Sequence, residues 1–236
     1  MQKTVNKSKF VVSKIKKEAD NVITLFLSPK EKNIAYTAGQ YVLVSLNKDE
    51  DIHGKFYTIS SEPSEDLLAL SIKKVGSFSS ALHNLKINDV IYISGPYGSF
   101  YPTPEMNDLV FFAAGIGITP FFSVIKDIIK RKVESRVRLF YTNKTLRDIS
   151  FFKEINKLAS KNPLLEVFYH LTRDTSSHEL IKSYKRININ QVQEELKDLR
   201  NKNYYICGTI GFVADTRKQL LKKKVKEENI FTESFF

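Results

Sequence analysis

Up to about residue 100 the chain alternates apolar and polar positions in short runs. These are Phe10 to Val12, Val22 to Leu27, Tyr41 to Val44, Phe56 to Ile59, Leu68 to Ile72 and Val90 to Ile93. The runs are β-branched or aromatic and are separated by Gly, Pro, Asn and Asp, which predicts antiparallel strands of a small barrel or sandwich. One short helix, around Ser79 to Leu85, interrupts them. After Tyr101-Pro102-Thr103-Pro104 the rhythm becomes apolar strand followed by amphipathic helix. Strands are expected at 109–114, 137–141, 165–171 and 204–207, and helices at 120–132, 149–160, 191–199 and 212–224. That alternation predicts a parallel sheet with helices on both faces. The two prolines mark a linker that divides the chain into domains 1–102 and 103–236.

Composition narrows the chemistry. Apolar residues at 42% and charged residues at 27% exclude a disordered chain. Cys207 is the one cysteine of the 236 residues, so an internal disulfide, a four-thiolate zinc site and an iron–sulfur cluster are all excluded. Any redox chemistry then requires an organic cofactor. His53, His83, His170 and His178 lack the i, i+3 or i, i+4 spacing that sets two ligands on one helical face, and no metal is expected. The uncharged run Leu109 to Ile125 contains Gly115, Gly117 and Pro120 and is too short for a membrane span, so it reads as a buried strand and a turn. The N-terminal segment holds no signal-peptide run, and cysteine usage agrees with a reducing compartment; a cytoplasmic location is expected. The net charge of +11 suits an acidic protein, a phosphorylated cofactor or nucleic acid. Lys222 to Lys226 closes the last helix, where cations complement the helix dipole.

Several short motifs could carry chemistry. Ala113-Ala114-Gly115-Ile116-Gly117-Ile118-Thr119-Pro120 lies between a buried strand and an apolar-faced helix. There, free amides and the positive end of the helix dipole can receive a pyrophosphate, and a plain tight turn has the same sequence pattern. Thr119 suits the N-cap and Pro120 the first helical turn. Pro120 stands where a G-x-G-x-x-G fingerprint has its third glycine. Lys55-Phe56-Tyr57-Thr58-Ile59-Ser60-Ser61 is a hydroxyl-rich strand headed by a cation, and strand alternation puts Lys55, Tyr57 and Ile59 on one face. Gly76-Ser77-Phe78-Ser79 supplies a glycine, hydroxyls and a helix start, and Gly95-Pro96-Tyr97-Gly98 makes a rigid turn. Cys207-Gly208 follows the last long strand, at the carboxyl edge where open parallel sheets bind ligands. Glu233-Ser234-Phe235-Phe236 ends the chain with two aromatics, which a C-terminal strand docked on the core would also explain.

In that order, Lys55 to Ser61, Gly76 to Ser79, Gly95 to Gly98, Gly115 to Pro120, Cys207-Gly208 and Glu233 to Phe235 resemble the successive motifs of the ferredoxin-NADP reductase family. The resemblance runs from about residue 5 to the C-terminus, although the first fifty residues match only in strand pattern. It implies a two-domain α+β fold in which an antiparallel six-stranded FAD-binding β-barrel precedes an α/β parallel-sheet nucleotide-binding domain. It further implies hydride transfer from a nicotinamide nucleotide to FAD and electron release to ferredoxin or flavodoxin. By similarity, Tyr57 lies against the flavin, Thr58 hydrogen-bonds near its N5, and Lys55, Ser79 and the amides after Gly76 hold the FAD pyrophosphate. Phe56, Ile72, Lys73, Ser77 and Phe78 complete the FAD set. Gly115, Gly117, Ile118, Thr119, Pro120 and Gly208 belong to the nucleotide site, Cys207 and Glu233 line the nicotinamide pocket, and Phe235 covers the flavin. Phe236 extends one residue beyond the aligned aromatic, so either phenylalanine could stack. Two positions depart from the family pattern. Lys55 replaces an arginine and cannot make the two-bond fork to phosphate, and Ile116 replaces a threonine, as in oxygenase-reductase relatives.

Thr172-Arg173 follows the third strand of the second half, where similar enzymes hold the 2′-phosphate of NADPH. This predicts NADPH over NADH, with a solvated loop arginine as the plainer alternative. The basic charge predicts an acidic electron-transfer partner, ferredoxin or flavodoxin. Two alternatives share the scaffold: a free-flavin reductase, which Lys55 keeps in play, and the reductase component of an oxygenase system. A nucleic-acid module would need exposed aromatics among its cations, whereas these aromatics fall in strand and helix-core positions. A monomer without nucleic acid is expected.

Overall fold

The computed structural model describes residues 7–31, 33–48, 54–174 and 178–235. In the first half, β1 (Ser8–Ala19), β2 (Val22–Pro29), β3 (Tyr41–Ser45), β4 (Lys55–Thr58), β5 (Leu68–Lys73) and β6 (Val90–Tyr97) form one antiparallel sheet in the order β4-β3-β6-β1-β2-β5. Helix α1 (Ser77–His83) lies between β5 and β6. The edge strands meet again through the antiparallel bridge between Ile59 and Leu70, where the Ser60 N–H donates to the Ala69 carbonyl at 2.8 Å. The sheet is thereby closed into the expected barrel. Period-two alternation turns Val42, Val44, Ile91 and Ile93 inward, all fully buried. Each such side chain contributes about 1.5–3 kcal/mol relative to exposure. Strand β1 is longer than its apolar run because register shifts at Val12/Lys14 and Lys17/Ala19 bend it around the barrel.

In the second half, β7 (Asp108–Ala114), β8 (Arg136–Asn143), β9 (Leu165–Leu171), β10 (Ile181–Ser183), β11 (Asn203–Gly208) and β12 (Ile230–Ser234) form a parallel sheet in the order β10-β9-β8-β7-β11-β12. The helices are α2 (Thr119–Lys130), α3 (Phe152–Ala159), α4 (Ile189–Leu196) and α5 (Ile210–Lys222). Alternation divides neighbouring residues between two cores: Phe111, Tyr141 and Tyr205 pack with α2 and α3, whereas Phe112, Phe140 and Tyr204 pack with α4 and α5. Strands β8 to β10 build outward on one side of β7, and β11 and β12 on the other. The topological switch therefore lies between the carboxyl ends of β7 and β11, the ligand-binding position of open α/β sheets.

The uncharged run is split between β7 and α2, and among the described residues no helix is long and apolar enough to cross a membrane. The helix expected from Ile149 starts only at Phe152. Phe151 takes a left-handed conformation, φ 60°, as its ring stacks on Phe122 at 4.0 Å. The short β10 lacks the length to show an alternating pattern, and sequence periodicity did not indicate it.

Candidate active site

The glycine turn occupies the switch point as a 3-10 helix over Gly115–Ile118. Gly115 has φ +54°, a left-handed conformation that disfavours side chains. A Cβ on Gly117 would fall 2.3 Å from the Cys207 carbonyl oxygen, and one on Gly208 would fall 2.7 Å from Ala114 Cβ. The two strand ends therefore approach backbone to backbone. The Tyr141 hydroxyl donates to the Gly115 carbonyl at 3.1 Å and accepts from the Ser150 N–H at 3.2 Å, holding the turn from beneath. Thr119 is not the N-cap. Because the 3-10 turn runs directly into α2, the cap is Ile118, and Thr119 lies inside the helix with its hydroxyl donating to the Ile116 carbonyl at 3.0 Å. Pro120 does occupy the first turn. Ile118 and Pro120 are buried, so they shape the turn from its core side.

Strand β12 pairs with β11 so that Cys207 stands opposite Glu233. Burial, with a smaller contribution from Glu233, pushes the Cys207 thiol well above its ordinary range. Burial also pushes the Glu233 carboxyl up to about 7, and its Oε2 has no hydrogen-bond partner among the described residues. The Phe235 N–H donates to the Gly208 carbonyl at 2.8 Å, and its ring packs against the core beneath α2 and α3. Phe236 lies outside the described residues.

On the barrel side, Lys55 is exposed at the head of β4. Phe56, 60% exposed, packs edge-on against Tyr41 at 5.3 Å. Tyr57 is half-buried against the barrel core and stacks on Phe78 at 6.3 Å; burial raises its phenol to about 12, so it stays a neutral donor. Thr58 is buried, yet its Oγ1 has no partner among the described residues. The Ile72 side chain is fully buried in the barrel core, and its carbonyl oxygen is hydrogen-bonded to His83 Nε2 at 2.9 Å. Ser79 is buried, and its hydroxyl accepts from the Val75 and Gly76 N–H groups at 2.9 Å, so it organises the turn that presents the amides of Ser77 and Phe78. A Cβ on Gly76 would meet nothing within 4 Å. Lys73, at the end of β5, brings its Nζ to 3.8 Å from where a Cβ on Gly115 would sit. It reaches from the barrel toward the glycine turn.

Beyond the switch point a groove of about 530 Å³ is lined by Thr142, Lys144, Thr172, Arg173, Arg186, Phe212 and Asp215, among others. That volume falls in the range of small-molecule sites. The Thr172 and Arg173 N–H groups donate to the Asn143 and Lys144 carbonyls at 3.0 and 2.8 Å, fixing the loop that carries Arg173. Sequence reasoning missed Lys144 and Arg186. Neither follows a recognisable motif, and only the adjacency of β8, β9 and β10 brings them beside Arg173.

The residues present fit an FAD and a dinucleotide: a buried Thr58 hydroxyl and a buried Glu233 carboxyl oxygen, both unpartnered among the described residues, a glycine turn that admits no side chain, and a cation-lined groove. Comparison with known proteins finds an FAD-binding and an NAD-binding domain. Residues 9–101 match the family described as the oxidoreductase FAD-binding domain, and residues 111–218 the oxidoreductase NAD-binding domain. Flavohemoprotein A of Dictyostelium discoideum is 28% identical over 244 residues, covering 96% of this chain and 59% of that protein. The chain thus spans about three fifths of the length of the curated flavohemoproteins it matches. The flavohem-like FAD/NAD-binding domain of nitric oxide dioxygenase from Vibrio cholerae has a TM-score of 0.85 at 23% identity, covering 97% of this chain and 98% of that one. A ferredoxin NADP+ reductase from Neisseria gonorrhoeae has a TM-score of 0.82 at 21% identity, with both chains covered completely at 100%.

Proposed function

We propose that this chain, an oxidoreductase with an FAD-binding and an NAD-binding domain, is a ferredoxin-NADP reductase-like enzyme that accepts hydride from NADPH and passes electrons to ferredoxin or flavodoxin. In this reading residues 1–102 bind FAD and residues 103–236 bind the nucleotide, in a cytoplasmic monomer. The observation that carries it is the convergence of the glycine turn, Cys207-Gly208 and Glu233 on one switch point, with Lys73 reaching across from the barrel. Bound FAD supplies a ring system that takes up a hydride and releases electrons to an acceptor.

The chain's own residues bind, orient and exclude water. Lys55 and the amides of Ser77 and Phe78 neutralise the FAD phosphates, Tyr57 supplies a flat neutral face, and the free Thr58 hydroxyl donates to the flavin edge. Cys207, held as a neutral thiol, and Phe235 keep the nicotinamide pocket dry. Glu233 offers a carboxyl that exchanges its proton near neutral pH. In the groove, Lys144, Arg173 and Arg186 supply three cations, a charge set that favours the 2′-phosphate of NADPH. Exposed Lys55 and Lys74 beside the FAD site, with the net charge of +11, favour an acidic acceptor.

The likeness to a nitric oxide dioxygenase's FAD/NAD-binding domain favours a second reading, the reductase component of an oxygenase system. An anaerobic titration separates the possibilities. The purified protein should be yellow with one FAD, should be bleached by NADPH faster than by NADH, and should reduce ferredoxin more slowly as ionic strength rises. A colourless protein that reduces only added flavin would overturn the bound-FAD reading, and a salt-independent transfer to ferredoxin would remove the acidic partner.

A further inference from the structure

The barrel and the parallel sheet are joined by a contact that the reaction chemistry itself does not require. Ser61 follows Thr58 by three residues and is fully buried, at 0% exposed. Its hydroxyl accepts from the Ala69 N–H at 2.9 Å and is bonded to the Tyr36 hydroxyl at 2.8 Å, so the side chain is committed to the barrel. Its carbonyl accepts from the hydroxyl of Ser123 in α2, also at 0% exposed. A mid-helix serine ordinarily returns its hydroxyl to a carbonyl one turn back or turns it to water. Ser123 instead donates to the other half of the molecule. Lys126, three residues on, pairs with Glu65 of the barrel while its ammonium sits 4.6 Å from the Phe122 ring centroid.

Thr119, Ser123 and Lys126 follow one another at spacings of four and three, which places them on one helical face. Thr119 closes the glycine turn, and Ser123 is about one turn further along the helix, about 6 Å of rise. The path from Thr58 to the glycine turn therefore consists of the three residues that follow β4, one buried hydrogen bond and one turn of helix. No flexible connection intervenes. Further polar contacts across the seam are weaker: the Asp20 N–H donates to the Arg147 carbonyl at 3.4 Å, and Lys16 pairs with Glu154 through side chains 36% and 39% exposed, which solvent screens.

We infer that Ser123 is a positioning residue: its hydrogen bond to the Ser61 carbonyl, backed by Lys126 and Glu65, sets the distance between the barrel's Thr58 and the glycine turn, and so the approach of the two rings. This rests on the functional reading above. Displacement of reacting groups by about 1 Å can lower a rate by about 100-fold. Loss of this bond should therefore lower the hydride-transfer rate and leave the binding of either cofactor intact.

The test compares FAD-loaded wild type with Ser123→Ala, Ser123→Thr, which keeps the hydroxyl, and Lys126→Met, which keeps the apolar stem at a less buried position. Expected for Ser123→Ala are unchanged flavin content, an NADPH KM within about 2-fold, and flavin reduction slowed roughly 10- to 100-fold. Charge-transfer absorbance on adding NADP+ to the reduced protein should weaken, Ser123→Thr should restore both signals, and Lys126→Met should show a smaller loss. Amide hydrogen exchange of the same proteins without nucleotide should quicken at 59–65 and 119–126 only. Unchanged rates and exchange in both Ser123→Ala and Lys126→Met would overturn the inference, as would loss of flavin together with rate, which marks general support of the fold. If Ser123→Ala does not fold, Lys126→Met decides by the same two readouts. If wild type holds no flavin or leaves NADPH unoxidised, the functional reading fails, and the exchange pattern still decides whether Ser123 ties the halves together.

Discussion

A Cβ at position 117 would lie 2.3 Å from the Cys207 carbonyl oxygen, so the glycine turn after β7 and the end of β11 touch backbone to backbone. Neither partner is a flexible side-chain tip that could move aside. Gly117→Ala should separate the strand ends, destabilise the fold by about 1–3 kcal/mol as an overpacked site does, and raise the NADPH KM. A urea melt and steady-state kinetics check both effects, and a melting midpoint equal to wild type would contradict the close approach.

Glu233 gives the fold a pH dependence whose sign follows from burial. Its carboxyl is raised from 4.5 to about 7 in the folded state. Below 4.5 both folded and unfolded chains hold the proton and the group contributes nothing. Between 4.5 and about 7 only the folded chain holds it, so its contribution to stability falls as pH rises and the full cost is present above 7. One pKa unit corresponds to 1.36 kcal/mol, and allowing for partial solvation the cost is about 1–3 kcal/mol. Glu233→Gln should flatten this slope and be more stable than wild type at pH 8, measured by chemical denaturation at pH 5 and pH 8.

Arg173 and Arg186 line the same groove with Lys144. A charge-assisted hydrogen bond contributes about 1.5–3 kcal/mol. Arg173→Ala and Arg186→Ala should each raise the NADPH KM roughly 10- to 100-fold and leave that of NADH nearly unchanged. Equal effects on the two nucleotides would remove the 2′-phosphate assignment.

Lys55 is exposed and offers phosphate a single ammonium. Lys55→Arg supplies a planar fork and should slow FAD release, whereas Lys55→Met should hasten it. Flavin fluorescence recovered after dilution and ultrafiltration measures both, and identical retention across the three proteins would take Lys55 out of the FAD site.

Much of the architecture is legible along the chain because it is periodic. Alternation in Tyr41 to Val44 and Val90 to Ile93 marks barrel strands, and the apolar runs at Leu109 and Leu165 mark buried parallel strands. Motifs with a fixed backbone requirement were legible for the same local reason: Gly115 needs its left-handed φ and Pro120 fits a first helical turn. Thr119 was misplaced because capping preference is weaker than the 3-10 turn that extends the helix backward. The three-residue β10 carries too few positions to display a period.

The order of residues by itself determined the two-part α+β organisation, the candidate glycine turn and the condition that any redox chemistry would use an organic cofactor. These depend on side-chain size, backbone preference and the single cysteine, all of which are local properties. Only the tertiary structure decided that Arg186 and Lys144 join Arg173, that Cys207 faces Glu233, and that Ser123 grips Ser61. Those pairings depend on strand order and on how the two sheets meet, and periodicity along one chain carries no information about either.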